Sequence, residues 1–210
     1  MPYTRDDVLE ATDGLTAVTI PVHVTLESKQ VVLAQPEMRA LLAGAEVIAV
    51  GNCICREEAR NCGNPLDVCI AFDDAARERI ADTSWRTISV EDALAILEKT
   101  YRLGLVHLAY RRWNGEINLV CSCCTCCCEP LAALRRFSYR DGITESAFVA
   151  RLDVDRCIAC GTCSKRCVFG AFEHASEGGP PTFNAERCFG CGLCVGTCPG
   201  EAIALVLRSD

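Results

Sequence analysis

Arg156-Cys157-Ile158-Ala159-Cys160-Gly161-Thr162-Cys163-Ser164-Lys165-Arg166-Cys167 returns 31 residues later as Arg187-Cys188-Phe189-Gly190-Cys191-Gly192-Leu193-Cys194-Val195-Gly196-Thr197-Cys198, followed by Pro199. Each copy spaces its thiols C-x2-C-x2-C-x3-C. Residues three apart on a tightly turning backbone direct three sulfurs inward, which suits a compact inorganic cluster whose fourth ligand comes from elsewhere. The repeat extends to Asp155-Arg156-Cys157 and Glu186-Arg187-Cys188, so each half is expected to be the mate of the other about a pseudo-twofold axis. Gly161, Gly190 and Gly192 are expected where backbone must come close to sulfur.

Over residues 148–208 this pattern resembles the two-cluster, bacterial-type ferredoxins. The resemblance implies two 4Fe-4S cubanes with crossed fourth ligands: Cys157, Cys160, Cys163 and Cys198 on one, Cys188, Cys191, Cys194 and Cys167 on the other. Val168 stands where the family often has proline, as Pro199 does in the second copy. Zinc competes poorly for these eight thiols, because a four-cysteine zinc site is usually split into two separated pairs.

The chain has 210 residues, 18 of them cysteine, and a net charge of −7. Met1 and the acidic residues behind it show no apolar leader core, so the thiols are expected in a reducing cytoplasm rather than in disulfides. No apolar run approaches membrane-spanning length. The negative charge argues against an electrostatic grip on nucleic acid and for a redox protein partner with a basic docking face, such as a flavoprotein or dehydrogenase. Six Lys/Arg face seven Asp/Glu from residue 148 onward, so the acidity belongs mainly to the N-terminal part. The polar run Ser138-Tyr139-Arg140-Asp141-Gly142 marks a linker near residues 138–146. The expectation is α+β: a Cys-rich, mixed α/β N-terminal domain at 1–145 and a dicluster ferredoxin-like domain at 146–210.

In the N-terminal part, Thr4-x-x-Asp7 reads as the cap of a short helix ending at Gly14. Val18, Ile20, Val22, Val24 and Leu26 alternate with polar residues as in a half-buried strand, with Pro21 placing it at an edge. Residues 36–42 suit a helical turn closed by Gly44, and residues 46–50 a short buried strand. His23, His107 and His174 are each solitary, His23 on the polar face of its strand. Ser89-x-x-Asp92 is a capping box for a helix with Val90, Leu94, Leu97 and Tyr101 on its apolar face and Gly104 at its end. Residues 105–110 and 116–120 flank Asn114-Gly115, a hairpin signal whose tip carries Arg111, Arg112 and Trp113. Helix plus hairpin invites comparison with a winged helix, which acidity weakens.

Ten more cysteines lie here. Cys53-x-Cys55-Arg56 is followed by Cys62 and Cys69, and Cys121-Ser122-Cys123-Cys124-Thr125-Cys126-Cys127-Cys128 packs six into eight positions. Neighbouring side chains diverge, so all six cannot face one cluster: an extended backbone separates Cys121 and Cys123 from Cys124, and a helical one groups Cys123, Cys124, Cys127 and Cys128. Glu129-Pro130 opens a helix through Phe137, whose N-terminal dipole favours thiolate nearby. The ten are candidate metal ligands, for one or two further Fe–S clusters, for zinc, or for thiol chemistry, with Cys53, Cys55, Cys62 and Cys69 the first choices. Together with the C-terminal repeat they resemble the N-terminal extension of 4Fe-4S-binding, ferredoxin-like proteins of mostly anaerobic bacteria. That group reads Cys-Asn-Cys-Cys-Gly-Cys-Cys-Cys where this chain has Ser122 and Thr125.

The functional expectation is electron transfer, as a carrier or as a wire in a larger redox complex rather than a self-sufficient enzyme. The alternatives are a catalytic N-terminal cluster with Arg56 as an anion contact, and a redox or oxygen sensor. No paired carboxylates, nucleophile–base set or phosphate loop completes an active site in the sequence.

Overall fold

The computed structural model describes residues 4–6, 16–19, 41–82, 84–111, 116–140, 143–174 and 178–208. Residues 20–26 of the strand expected from Val18 to Leu26, with His23, most of the 4–14 and 36–42 helices, and the Asn114-Gly115 turn lie outside these residues. Backbone contacts divide the chain into two compact units, one of Met1–Val18 with Met38–Thr144 and one of Thr19–Glu37 with Glu145–Asp210. The elements are mixed α and β. No helix among the described residues is long and apolar enough to cross a membrane.

The first unit is built on a seven-stranded sheet in the order β4-β2-β3-β6-β5-β1-β7. Its strands are β1 (Thr16–Thr19), β2 (Ile48–Asn52), β3 (Asp67–Phe72), β4 (Arg86–Thr87), β5 (Val106–Arg111), β6 (Ile117–Cys123) and β7 (Ile143–Thr144). The central strands pair antiparallel, β1 with β7 parallel. Strand β3 is buried from Val68 to Phe72, because helices cover both sheet faces. On one face, Ala75 and Ala76 of α2 (Asp73–Asp82) pack with Ala49, Ala71 and Trp85. Trp85 lies so close over Gly51 that a Cβ there would fall 2.3 Å from the indole. That position admits only glycine.

On the other face lies α3 (Val90–Arg102), whose N-terminus carries the expected capping box. Ser89 Oγ accepts from Asp92 N at 3.1 Å, and Asp92 Oδ2 accepts from Ser89 N at 3.3 Å. Its buried stripe differs from the expected one: Ala93, Leu97, Thr100 and Tyr101 are buried, while Val90 and Leu94 are half-exposed. Polar Thr100 is tolerated because Ser122 Oγ donates to its hydroxyl at 2.9 Å and His107 Nε2 lies 2.9 Å away. His107 is therefore a satisfied core histidine at 3% exposure. Two further helices of this unit are α1 (Ile54–Ala59) and α4 (Glu129–Phe137). Helix α4 spans the expected residues and ends at Ser138, in the left-handed region at φ 54°. The segment read as a linker contains β7, with Ile143 buried.

The second unit pairs β8 (Phe148–Leu152) with β11 (Ile203–Leu207) and β9 (Phe172–Glu173) with β10 (Thr182–Phe183), all antiparallel. A short helix, α5 (Thr162–Arg166), and a 3-10 turn at Ala185–Arg187 lead through the cysteine loops. The 31-residue repeat is a physical symmetry. Asp153 N donates to Ala202 O, and its mate Asn184 N donates to Ala171 O, both at 2.8 Å. Left-handed backbone recurs in register, at Ala159 and Gly190, Gly161 and Gly192, Gly170 and Glu201.

Candidate metal centres

In the first unit, strand register decides which thiols meet. Cys69 on β3 stands opposite Cys121 on β6, and alternation along β6 puts Cys121 and Cys123 on one face and Ser122 on the other. The extended reading of this stretch holds as far as Cys123. The chain then turns, Cys128 N donating to Cys124 O at 3.0 Å, and Cys128 becomes the N-cap of α4. Cys53 is the N-cap of α1 without a capping bond from its side chain, so its sulfur is available.

Two sets result. Six free thiols form one, linked by hydrogen bonds: Cys53 with Cys55 and Cys69, Cys69 with Cys121, Cys121 with Cys123, and Cys123 with Cys128. Cys55 and Cys128 face each other electrostatically across the end of the row. Hydrogen bonds from Cys55 and Cys69 pull the Cys53 thiol down to about 2, and those from Cys123 and Cys69 pull Cys121 down to about 5. The same bonds, with burial, push Cys55, Cys69 and Cys123 up. Sulfurs this crowded share protons unequally, and a metal relieves the crowding by replacing the protons. Burial, with Cys123, Cys128 and Cys121 alongside, keeps the Tyr110 hydroxyl protonated.

The second set is Cys62, Cys124, Cys126 and Cys127, whose sulfurs all lie within 4.8 Å of one another. Cys62 Sγ is 3.8 Å from those of Cys124 and Cys127, and Cys126 Sγ is 3.8 Å from that of Cys127. Burial works to raise Cys62, yet the Asn64 backbone N–H and the bonds from Cys126, Cys124 and Cys127 bring it down to about 6. Burial raises Cys126 and Cys127. The sequence thus groups Cys62 with Cys53, Cys55 and Cys69, whereas the structure separates it from them. Nor does the helical grouping of Cys123 and Cys128 with Cys124 and Cys127 occur, because β6 and the N-cap of α4 turn the outer two away.

Arg56 joins the framework of both sets. It is 2% exposed, donates to Pro65 O, to Ser122 O at 3.0 Å and to Cys124 Sγ at 3.5 Å, and leaves its Nε unpaired. Burial works against its charge, but the Cys124 bond and the sulfurs of Cys124, Cys53 and Cys62 hold it firmly protonated. No carboxylate among its described partners balances it. The anions within reach are sulfurs.

In the second unit, one hollow is lined by Cys167, Cys188, Cys191 and Cys194, with Phe169, Phe172, Phe189 and Leu205 around them. The first three-cysteine loop thus lends its last thiol to the second loop's space. Cys163, raised by burial, feels the charge of Cys198 in the mated position. Burial pushes Cys191 up to about 12 and raises Cys188 and Cys194, each also feeling Cys167. Backbone N–H groups reach the sulfurs: Ala171 N to Cys167 at 3.2 Å, its mate Ala202 N to Cys198 at 3.3 Å, and Ala150 N to Cys188 at 3.5 Å. Gly190 is required for packing, since a Cβ at its φ of 70° would meet Ser146 Oγ at 2.1 Å and Phe148 O at 2.2 Å. Gly161 sits under the His174 ring, 2.5 Å from where a Cβ would be. These close approaches are to protein atoms. Arg156 and Arg187 make exposed ion pairs with Glu201 and Glu173.

Comparison with known proteins agrees with this geometry where it applies. The family described as a 4Fe-4S dicluster domain matches residues 150–199. No curated protein matches the chain. Residues 150–199 thus form a ferredoxin-type iron–sulfur domain, and the remainder stands on its own residues.

Proposed function

We propose that this chain is an electron-transfer protein carrying two cubane clusters in residues 148–208, with Cys157, Cys160, Cys163 and Cys198 holding one and Cys188, Cys191, Cys194 and Cys167 the other. The observation that carries this reading is the hollow in which Cys167 joins the three thiols of the other loop. The site fits such a group: the lining is apolar, four thiols converge on it, and N–H donors point at sulfur. A bound cubane supplies a one-electron couple whose potential responds to hydrogen bonds at sulfur and to solvent access. The residues do the rest. Phe169, Phe172, Phe189 and Leu205 exclude water, while the Ala171, Ala202 and Ala150 amides partly offset thiolate charge.

The six-thiol set supplies the ligands of a further Fe–S centre, with more sulfur than one cubane takes. The partner is a redox protein, of the flavoprotein or dehydrogenase kind, whose basic face complements the net charge of −7. Because the fourth ligands are crossed, the test is made in pairs, on the full chain handled without air. Cys167→Ser and Cys188→Ser should alter the same paramagnetic signal after reduction, and Cys198→Ser and Cys157→Ser the other. Each should lose inorganic sulfide along with iron. Full iron retention in these variants, or pairing of Cys167 with Cys157, overturns the assignment.

A further inference from the structure

We propose that Cys62, Cys124, Cys126 and Cys127 form a site for one thiophilic divalent ion, of the zinc or ferrous class, bound by four thiolates without inorganic sulfide. Sulfur spacing is the argument. An ion with four sulfurs at about 2.3 Å in a tetrahedron sets neighbouring sulfurs about 3.8 Å apart. Three of the contacts within this set, Cys62–Cys124, Cys62–Cys127 and Cys126–Cys127, are 3.8 Å each. A cubane interposes four irons and four sulfides between its terminal thiolates, so four sulfurs that all lie within 4.8 Å of one another do not enclose one.

The rest of the molecule provides the contrast. Among the described residues, only this set brings three or more ligand atoms within 4.8 Å of one another. The eight C-terminal thiols stay further apart, and four of them, Cys167, Cys188, Cys191 and Cys194, line a hollow instead, as a polynuclear group requires. The six-thiol set is a row of pairwise contacts in which no three sulfurs lie within 4.8 Å of one another, so its alternate sulfurs stand beyond contact.

The surroundings suit an anionic four-thiolate ion. The buried Arg56 guanidinium donates to Cys124 Sγ, and Asn64 Nδ2 donates to Cys62 Sγ at 3.4 Å. Such outer bonds orient ligands and spread charge. Cys126 is exposed while Cys124 and Cys127 are buried, which leaves a way in for the ion on one side. The scaffold is assembled independently of the ion: Asn61 Nδ2 donates to Cys126 O at 2.8 Å, and Arg56 ties Pro65 O to Ser122 O. The ion would clip loop 61–65 onto turn 124–127, whose flanking residues Cys123 and Cys128 belong to the six-thiol set. It is a structural ion that fixes the geometry of its neighbour.

The full chain, purified without air and supplied with zinc, is the test material. X-ray absorption at the zinc edge should show four sulfurs at about 2.3 Å and no metal neighbour. Cys126→Ser should remove one ion per chain and leave inorganic sulfide unchanged, and Cys62→Ala should do the same. Loss of sulfide from either variant, fewer than four sulfurs around zinc, or no zinc bound overturns the proposal. This outcome is separable from the electron-transfer reading. A chain that keeps the ion but takes up no C-terminal cubanes refutes that reading alone.

Discussion

Replacing Arg56 by methionine keeps most of the buried volume and removes the charge. Its guanidinium holds Pro65 O, Ser122 O and Cys124 Sγ together, and at 2% exposure no water replaces those bonds. Each hydrogen bond to a charged group contributes about 1.5–3 kcal/mol, but a group's loss is not the sum of its bonds. Breaking a buried ion pair by deleting one member costs about 3–5 kcal/mol. In the ion-loaded chain, the sulfurs are that other member. Arg56→Met should therefore lower its unfolding free energy by about 3–5 kcal/mol and weaken ion affinity by roughly 100-fold or more. In the ion-free chain at pH 5, Cys62, held down only to about 6, takes up its proton while Cys53, at about 2, stays a thiolate, so the arginine faces less anionic sulfur than in the loaded chain. Its removal there should cost clearly less than in the loaded chain, because part of the compensating charge is already gone. Denaturant unfolding at pH 5 without metal and at pH 7.5 with zinc measures both arms. Equal destabilisation in the two would refute the claim that sulfur anions are what hold Arg56 in place.

Gly190→Ala combines a left-handed φ of 70° with contacts of 2.1 and 2.2 Å, and should cost about 2–5 kcal/mol in thermal unfolding. At the mated position, Ala159 pays the left-handed penalty at φ 52°, so Ala159→Gly should be neutral or stabilise by about 1 kcal/mol; destabilisation like that of Gly190→Ala would refute the symmetry argument. Ser89→Ala removes the acceptor for Asp92 N and should lower stability by about 1 kcal/mol, read as a shift in denaturation midpoint at unchanged slope. In the metal-free chain, burial raises Cys191 from 9.0 to about 12 and raises Cys188 and Cys194. The folded state then keeps protons that the unfolded chain releases, so stability is full below pH 9 and falls as pH rises towards 12. Denaturation of the metal-free chain at pH 8 and pH 10 checks the sign, and a rise between them would refute it.

Local chemistry made several elements legible without coordinates. The capping box at Ser89, the proline-opened helix at Glu129 and the doubled cysteine run are each written within a dozen residues, and each forms where its pattern indicates. Helices α1 and α2 were not anticipated: Cys53 offers no capping bond, and the polar sequence of α2 carries no clear apolar stripe. His107 looked solitary because its partners, Thr100 and Ser122, come from a helix and a different strand.

Sequence alone determined that the chain handles metal through thiols and that its last third is two copies of one loop, because ligand spacing within a tight turn is a local property. How the ten N-terminal thiols divide was decided only by tertiary structure. Pairing β3 with β6 sets Cys69 against Cys121, alternation turns Ser122 away, and the turn at Cys124 sends three sulfurs towards Cys62. Sequence separation cannot report such distances. Strand register and one buried arginine set them.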